Sequence, residues 1–242
     1  MQSGLYVTLS AQVALERRLT TIATNVANQS TPGYRAEEVD FKTLISRAGD
    51  TPVAYVSPGN TYISRRPGVP IKTDHPLDGA VQGDCWLALR NKAGTIVYTR
   101  DGRMEMLPGG ELQSVNGYPV LDADNSPIAL DPLGGPATIA QDGMITQGGR
   151  QIGAIGLFKL DNAAKLKRFD NSSVVSDKPA TPVFDFSTNG VTQGYVEGAN
   201  VNPMLKMAKL IMVSRTFESI SSAVESSESS LKDAIRILGG LT

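Results

Sequence analysis

The chain has few of the residues on which catalytic and metal sites depend. Its 242 residues include one histidine, His75, and one cysteine, Cys85. A single cysteine excludes an intramolecular disulfide, and one cysteine with one histidine cannot supply a Cys/His zinc site. A Ser-His-Asp triad would have to use His75, and no Gly-x-Ser-x-Gly segment accompanies it. We therefore expect no enzyme activity, no metal and no cofactor, and we interpret Cys85, next to Trp86, as a buried core thiol.

An excess of one charge and a long apolar run are also missing. Lys and Arg number 23 against 24 Asp and Glu, a formal net charge of -1. This balance offers no general attraction to nucleic acid or to an anionic membrane. No stretch of about 18 apolar residues predicts a transmembrane helix. Residues 1–6 do not resemble the start of a secretory signal, so we expect no cleaved signal peptide.

The N-terminal segment carries the pattern of a helix. Residues 1–29 contain no proline, and Gly4 is their only glycine. Apolar residues recur at helical spacing, and those that we assign to assembly are Leu5, Leu9, Leu19 and Ile22. Asn25 and Asn28 suit the end of a helix. Pro32 and Gly33 then predict a type II turn over Thr31–Tyr34, where the helix must stop.

The C-terminal segment predicts a second, longer helix. Asn202 and Pro203 are typical of a helix start, as N-cap and first helical residue. No glycine or proline follows until Gly239, which gives a helix of roughly 36 residues, or about 54 Å. An apolar seam with alternating steps of three and four residues runs along it. Its members that we assign to assembly are Leu210, Val213, Phe217, Ile220, Val224, Leu231 and Leu238.

A second apolar stripe on the same helix consists of Met204, Met207 and Ile211. A helix that is apolar on more than one side cannot bury both sides on a compact β domain. It therefore requires other helices, either the N-terminal helix or those of neighbouring subunits. Pairing of the two ends into a coiled-coil-like rod domain and an ordinary helical hairpin docked on the β domain are both open.

Between the two ends, short apolar runs alternate with Gly, Asn and Asp turn pairs. This pattern is typical of an all-β barrel or sandwich. The predicted strands are Cys85–Arg90, Thr95–Thr99, Pro119–Leu121, Ala137–Ala140, Gly153–Lys159 and Val183–Phe186. The predicted class is thus α+β, with residues 1–50 as N-terminal helix and arm, 51–196 as β domain and 197–242 as C-terminal helix.

Several segments make a family resemblance specific. Residues 25–35, Asn-Val-Ala-Asn-Gln-Ser-Thr-Pro-Gly-Tyr-Arg, resemble the N-terminal signature of bacterial flagellar rod and hook proteins. Residues 194–203 resemble their C-terminal signature, in which Glu197, Asn200, Asn202 and Pro203 are the residues of interest. Central segments similar to the family's β domain are Asp74–Ala80, Tyr98–Gly102, Gly117–Leu121 and Asp142–Ile145. The opening residues 5–19 are most similar to proximal-rod members, with the distal rod as the alternative.

The resemblance implies a structural subunit of the basal-body rod that assembles with itself and with other rod proteins through its terminal helices. It also implies export by the flagellar type III apparatus without signal cleavage, a periplasmic location and transmission of torque. From the residues alone, a secreted adhesin or carbohydrate-binding β domain with helical oligomerisation ends is a second hypothesis. An enzyme is a third, and it would need a perturbed carboxylate pair in a deep pocket.

Overall fold

The computed structural model describes residues 2–46, 53–57 and 59–240, with side chains from residue 6 onward. The chain divides into two compact units. The helical unit comprises residues 1–27, 37–62 and 202–242, and the β unit comprises residues 28–36 and 63–201. Both units are therefore assembled from segments that are distant in the sequence.

Two long helices form the core of the helical unit. Helix α1 spans Gln2–Ala27 and helix α2 spans Pro203–Leu238, which is 36 residues. The side chain of Asn202 accepts a hydrogen bond from the Leu205 amide at 3.0 Å and so caps the start of α2. The predicted start and length of the C-terminal helix are confirmed. The helices pack against each other, and Gln12 Nε2 donates to Ser221 Oγ at 3.4 Å.

Between the two helices, the described chain forms short strands joined by turns and loops. In order they are β1 (Glu37–Asp40), β2 (Thr43–Ser46), β3 (Val53–Val56), β4 (Asn60–Ile63), β5 (Pro70–Lys72), β6 (Gly79–Gln82), β7 (Trp86–Arg90), β8 (Ile96–Thr99), β9 (Met104–Met106), β10 (Leu112–Ser114), β11 (Ala137–Ile139), β12 (Met144–Gln147), β13 (Arg150–Ala154), β14 (Leu157–Lys159), β15 (Leu166–Arg168), β16 (Ser173–Ser176), β17 (Thr181–Pro182), β18 (Gly190–Gln193) and β19 (Tyr195–Glu197).

The largest sheet of the β unit has six strands in the order β15-β16-β8-β7-β14-β17. Its central strand β7 is buried on both faces. Because side chains alternate along a strand, Leu87 and Leu89 enter the main apolar core, while Trp86 and Ala88 enter smaller clusters on the other side. The remaining sheets are smaller: β11-β12-β13, β9–β10, β6–β18, β5–β19, β1–β4 and the hairpin β2–β3.

A barrel or a sandwich was expected, and among the described strands no sheet closes on itself, so the barrel is wrong. The six-stranded sheet is open and ends at β15 and β17. Closure requires a full ring of strands with a consistent stagger. Here β7 has five residues and β17, in the same sheet, only two, and the other strands are divided among several smaller sheets. What holds is the α+β class, with a helix at each end and a β-rich middle.

Three of the six predicted strands are present in the structure, and three are not. The first, second and fourth are confirmed to within one residue as β7, β8 and β11. Residues 119–121 form only isolated bridges. The predicted strand at 153–159 is broken, because the Gly156 amide donates to the Leu121 carbonyl at 2.9 Å. The strand predicted at 183–186 does not form, because β17 ends at Pro182. Only the Val183 amide continues its pairing, by donating to the carbonyl of Leu157, the first residue of β14, at 2.8 Å.

Candidate functional site

The predicted seam of α2 coincides with its least exposed face. Val213 is 2% exposed, and five other seam residues are partly buried: Leu210, Phe217, Ile220, Val224 and Leu231. Leu238, at the end of the helix, is 87% exposed. The seam is thus covered along most of its length within the helical unit.

A neighbouring face of α2, offset by one residue from the seam, is uncovered over its first turns. Met204 is 79% exposed, Met207 47% and Ile211 56%. Three methionine or isoleucine side chains in water at steps of three and four residues form a continuous apolar strip. Strips of this kind on soluble proteins mark surfaces that bind another protein.

The assembly residues predicted in α1 differ in how far their side chains are exposed. Leu9 is 48% exposed, Leu19 is half-buried and Ile22 is 5% exposed. The side chain of Leu5 lies outside the described part of the chain. The apolar face of α1 is therefore buried near the end of the helix and exposed near its beginning.

Asn25 joins α1 to the first strand. Its side chain is fully buried; Nδ2 donates to the Glu37 carbonyl at 2.7 Å, and Oδ1 accepts from the Glu37 amide at 2.8 Å. The asparagine amide thereby pairs with a backbone peptide as a neighbouring strand would. Its role in the structure is to hold the start of β1 against the end of the helix.

The turn after α1 forms as predicted. The Tyr34 amide donates to the Thr31 carbonyl at 3.2 Å, and Gly33 has φ +68°. These are the hydrogen bond and the positive φ of a type II turn, with Pro32 at the second position. Asn28 opens the preceding turn, where its carbonyl accepts from the Thr31 amide at 3.1 Å.

The first and last signature segments meet at Glu197 in the β unit. Glu197 Oε1 accepts from Arg35 Nη2 at 2.7 Å and from the Gly68 amide at 2.8 Å. Glu197 Oε2 accepts from Arg100 Nε at 2.7 Å. The three side chains, which we call the Glu197 cluster (Arg35, Arg100, Glu197), are almost completely buried. The buried carboxylate is thereby compensated in charge and in hydrogen bonds, whereas the buried Nε of Arg35 has no hydrogen-bond partner.

Arg100 uses its remaining donors on the backbone. Nη2 donates to the Val81 carbonyl at 2.7 Å, and Nη1 donates to the carbonyls of Gly83 and Cys85. These carbonyls lie in and just after β6, so the arginine caps that segment. Four of its five N–H groups are thus used within the β unit, so Arg100 holds the backbone of this segment in place.

Arg35 is similarly enclosed. It donates to the carbonyls of Arg65 and Arg66, and its guanidinium lies 5.6 Å from the centre of the Trp86 ring. Burial lowers the pKa of Arg35 from its ordinary value to about 10, against the opposing effect of Glu197. The guanidinium therefore stays charged at neutral pH and keeps its ion pair.

Asn200 completes the contact between the two signatures. Its Oδ1 accepts from the Ala36 amide at 2.6 Å, and its Nδ2 donates to the Arg66 carbonyl at 2.7 Å. Asn202 and Pro203 begin α2, as described above. Of the four residues predicted at the C-terminal signature, Glu197 and Asn200 thus organise the β unit, and Asn202 and Pro203 start the helix.

Sequence reasoning missed Arg35 and Arg100 as partners of Glu197. Both lie inside segments that carry the family resemblance, at the end of residues 25–35 and in the middle of residues 98–102. Glu197 itself could have indicated these partners, because a carboxylate next to the apolar Val196 requires a positive partner if its strand is buried.

The described residues hold no group of three or more His, Cys, Asp or Glu side chains placed for a metal ion. The side chain of Asp122, in a loop rich in polar residues, accepts hydrogen bonds from the amides of Asp124 and Ser126, as in an ordinary turn. Cys85 is fully buried, and burial raises the pKa of its thiol, which confirms the interpretation as a core residue. Neither α1 nor α2, as described, is apolar enough over a sufficient length to cross a membrane.

Comparison with known protein families matches three parts of the chain. Residues 5–35 match the flagella basal body rod protein family, residues 80–147 the flagellar hook protein FlgE/F/G D1 domain, and residues 192–237 the flagellar basal body rod FlgEFG protein C-terminal family. The first and last of these contain the two signatures that meet in the Glu197 cluster.

Whole-length relatives agree. The chain is 47% identical to the flagellar basal-body rod protein FlgF of Mesorhizobium japonicum and 43% identical to that of Rhizobium meliloti, over 99% of both chains in each case. It is 27% identical to the rod protein FlgG of Buchnera aphidicola, over 96% of this chain and 98% of the relative.

The chain therefore belongs to the flagellar basal-body rod proteins, which are structural subunits of the basal body and not enzymes. Within this family it is FlgF-like, which makes it a proximal-rod protein.

Proposed function

We propose that this rod subunit assembles with copies of itself and with other rod proteins through α1 and α2, and that the resulting shaft transmits torque across the periplasm. In this proposal the two helices pair in a coiled-coil-like manner. Residues 1–50 and 197–242 build the core of the rod, and residues 51–196 form the β domain. The boundary at 50/51 lies outside the described residues.

The observation that carries this proposal is the two-sided apolar character of α2. One face, which includes Val213, is covered within the helical unit, whereas on the other face Met204 is 79% exposed. An isolated subunit gains nothing from apolar side chains held in water. Burying these side chains against a neighbouring helix would stabilise the contact by about 25 cal/mol per Å² of apolar surface removed from water.

The predicted residues take two roles in this proposal. Seam residues such as Phe217 and Ile220 hold α2 in the register that assembly needs. Asn25, Pro32 and Gly33 set the direction in which the chain leaves α1. Export by the flagellar type III apparatus without cleavage of a signal peptide, inferred from the resemblance alone, would bring the subunit to the growing rod.

A Phe217→Asp variant tests the assembly role. Phe217 is half-buried on the seam, and a carboxylate placed there would have to lose its hydration in any helix contact. We expect the variant to be made and its β unit to fold, but to be absent from isolated basal bodies, with loss of swimming. Electron micrographs of the deletion strain should show no complete rod above an intact inner ring.

Ser222→Asp is the matched control, because Ser222 is exposed on the same helix. It should enter the rod and support swimming. Normal swimming of the Phe217→Asp strain would refute the role of the seam, and intact rods in the deletion strain would refute the rod function itself.

A further inference from the structure

The last segment of the β unit supplies the partners of two earlier strands. Residues 190–201 contain β18 and β19. Among the strands that the structure describes, β6 pairs with β18 alone and β5 with β19 alone. The first of these pairs runs from Gly190 opposite Gln82 to Gln193 opposite Gly79. We call residues 190–201 the strap, and without it neither β5 nor β6 has a described strand to pair with.

The strap also holds the N-terminal segment of the β unit. The Gly33 amide donates to the Glu197 carbonyl at 2.6 Å, and the Asn200 amide donates to the Tyr34 carbonyl at 3.2 Å. In addition, Asn200 Oδ1 accepts from the Ala36 amide at 2.6 Å. The first and the last residues of the β unit are therefore joined through the strap.

The six-stranded sheet, in contrast, is complete without the strap. All of its strands lie within residues 86–182, as do those of the sheets β9–β10 and β11-β12-β13. Of the buried residues in the main apolar core, only Val81, Cys85 and Val191 lie outside that range. Residues 86–182, which we call the sheet block, thus make their sheets and nearly all of this core from contacts among themselves.

Apolar packing attaches the strap only in part. Its buried apolar side chains are those of three valines, Val191, Val196 and Val201. All three residues of its partner strand β5 are exposed, and residues of β5, β6, β18 and β19 line a groove of about 480 Å³. The strap therefore depends strongly on backbone hydrogen bonds. Segments held in this way open at a lower free energy than a packed core does.

Glu197 is the charged anchor of the strap. Its two partners, Arg35 and Arg100, belong to other segments of the β unit. When the strap leaves, both guanidinium groups lose the carboxylate, and a buried charge without a partner has to reach water. Arg100 also donates to the carbonyls of Val81 and Gly83, so its movement releases β6. Detachment of the strap thus frees β6 and the N-terminal segment in the same step.

We propose that the strap closes the β unit last and opens it first. In the open form the sheet block stays folded, while the strap, β5, β6 and residues 33–36 are released as one cooperative group. Because synthesis runs from the N-terminus, residues 33–36 wait for the strap, and a chain that ends before residue 190 cannot close the β unit. This device lies within the β unit alone and does not depend on rod assembly.

Native-state hydrogen exchange of the full chain, followed by NMR at low urea concentrations, measures the opening. The amides of Gly33, Thr73 and Gly194 each make a hydrogen bond in which the strap takes part, whereas those of Leu112 and Val120 make theirs within the sheet block. We expect the first three to share one opening equilibrium and to exchange at least about tenfold faster than the last two. Equal protection of all five amides, or stronger protection of the strap amides, would overturn the proposal.

A substitution in the sheet block distinguishes two steps from one. Val97 is fully buried in β8, in the same apolar core as Leu112 and Val120. Val97→Ala weakens the block equally in the closed and in the open form. Exchange of the strap amides should therefore stay unchanged, while the block amides exchange about tenfold faster. Equal acceleration of both groups would mean that the β unit opens in a single step, which overturns the proposal.

Glu197→Gln destabilises the closed form alone. The strap amides should exchange about a hundredfold faster or more, and the block amides follow by the same factor, because complete unfolding breaks the Glu197 cluster as well. Asp161→Asn, which removes an exposed pair with Lys178, is the control and should change neither group. Unchanged strap exchange in Glu197→Gln would refute the glutamate as anchor. The wild-type and Val97→Ala measurements decide the proposal even if Glu197→Gln does not fold.

Discussion

Glu197 and Arg35 form a buried ion pair, with Arg35 Nη2 2.7 Å from Glu197 Oε1. One residue closes the N-terminal signature and the other lies in the C-terminal signature. Their contact is therefore the point at which the two ends of the β unit are joined, and Arg100 shares the same carboxylate at 2.7 Å. This geometry makes the stability of the β unit sensitive to a single glutamate.

Glu197→Gln should strongly destabilise the β unit. The amide is similar in size, but it leaves two buried guanidinium groups without a negative charge. Removal of one partner from a buried ion pair costs about 3–5 kcal/mol. Urea unfolding followed by circular dichroism measures this change. Asp161→Asn, which removes an exposed pair with Lys178, is the control and should alter the midpoint little. Equal midpoints for both variants would contradict the structural role of the cluster.

Gly33→Ala should destabilise the turn after α1 more than a positive φ alone explains. A Cβ at Gly33 would lie 2.1 Å from the Asp101 amide nitrogen, so backbone must move. Gly149 has a similar φ of +75° but no atom within 4 Å of a Cβ. Gly149→Ala should therefore cost only the conformational penalty of a positive φ, about 1–2 kcal/mol. Calorimetry of the two variants separates strain from collision, and similar melting temperatures would refute the collision.

Asn25→Ala should release the start of β1. The substitution leaves both the amide and the carbonyl of Glu37 without their side-chain partner. An orphaned buried polar group costs about 1–3 kcal/mol. We expect faster hydrogen exchange at the Glu37 amide, measured by NMR, while the Thr20→Ala variant, altered at an exposed position of the same helix, exchanges normally. Unchanged protection of that amide would refute the proposed pairing.

The free energy of unfolding should fall as the pH rises above 9, and Cys85 should contribute. Burial raises the pKa of its thiol above the ordinary value of 9.0. Between the two values the unfolded chain has lost the proton that the folded chain still holds, so stability decreases with pH. In Cys85→Ala the slope should be shallower by up to about 1.4 kcal/mol per pH unit. Urea titrations from pH 8 upward measure it, and identical slopes would contradict the prediction.

The parts of the fold that local patterns predicted are those whose causes lie within a few residues. Asn202, Pro203 and Gly239 mark the ends of α2, and Pro32 with Gly33 marks the turn. Strands were predicted less well. The break before β14 accompanies the hydrogen bond from the Gly156 amide to Leu121, and the end of β17 at Pro182 accompanies its pairing with the short strand β14. Those partners come from distant parts of the chain.

By itself, the sequence determined the two helical ends, the covered seam of α2, the β-rich middle and membership of the rod proteins. Periodicity, caps and turn residues act over a few positions, and they can be recognised in a single chain. The tertiary structure decided that Arg35 and Arg100 share Glu197 and that Asn25 pairs with Glu37. These relationships require the path of the whole chain, because burial and ion pairing depend on residues far apart in sequence.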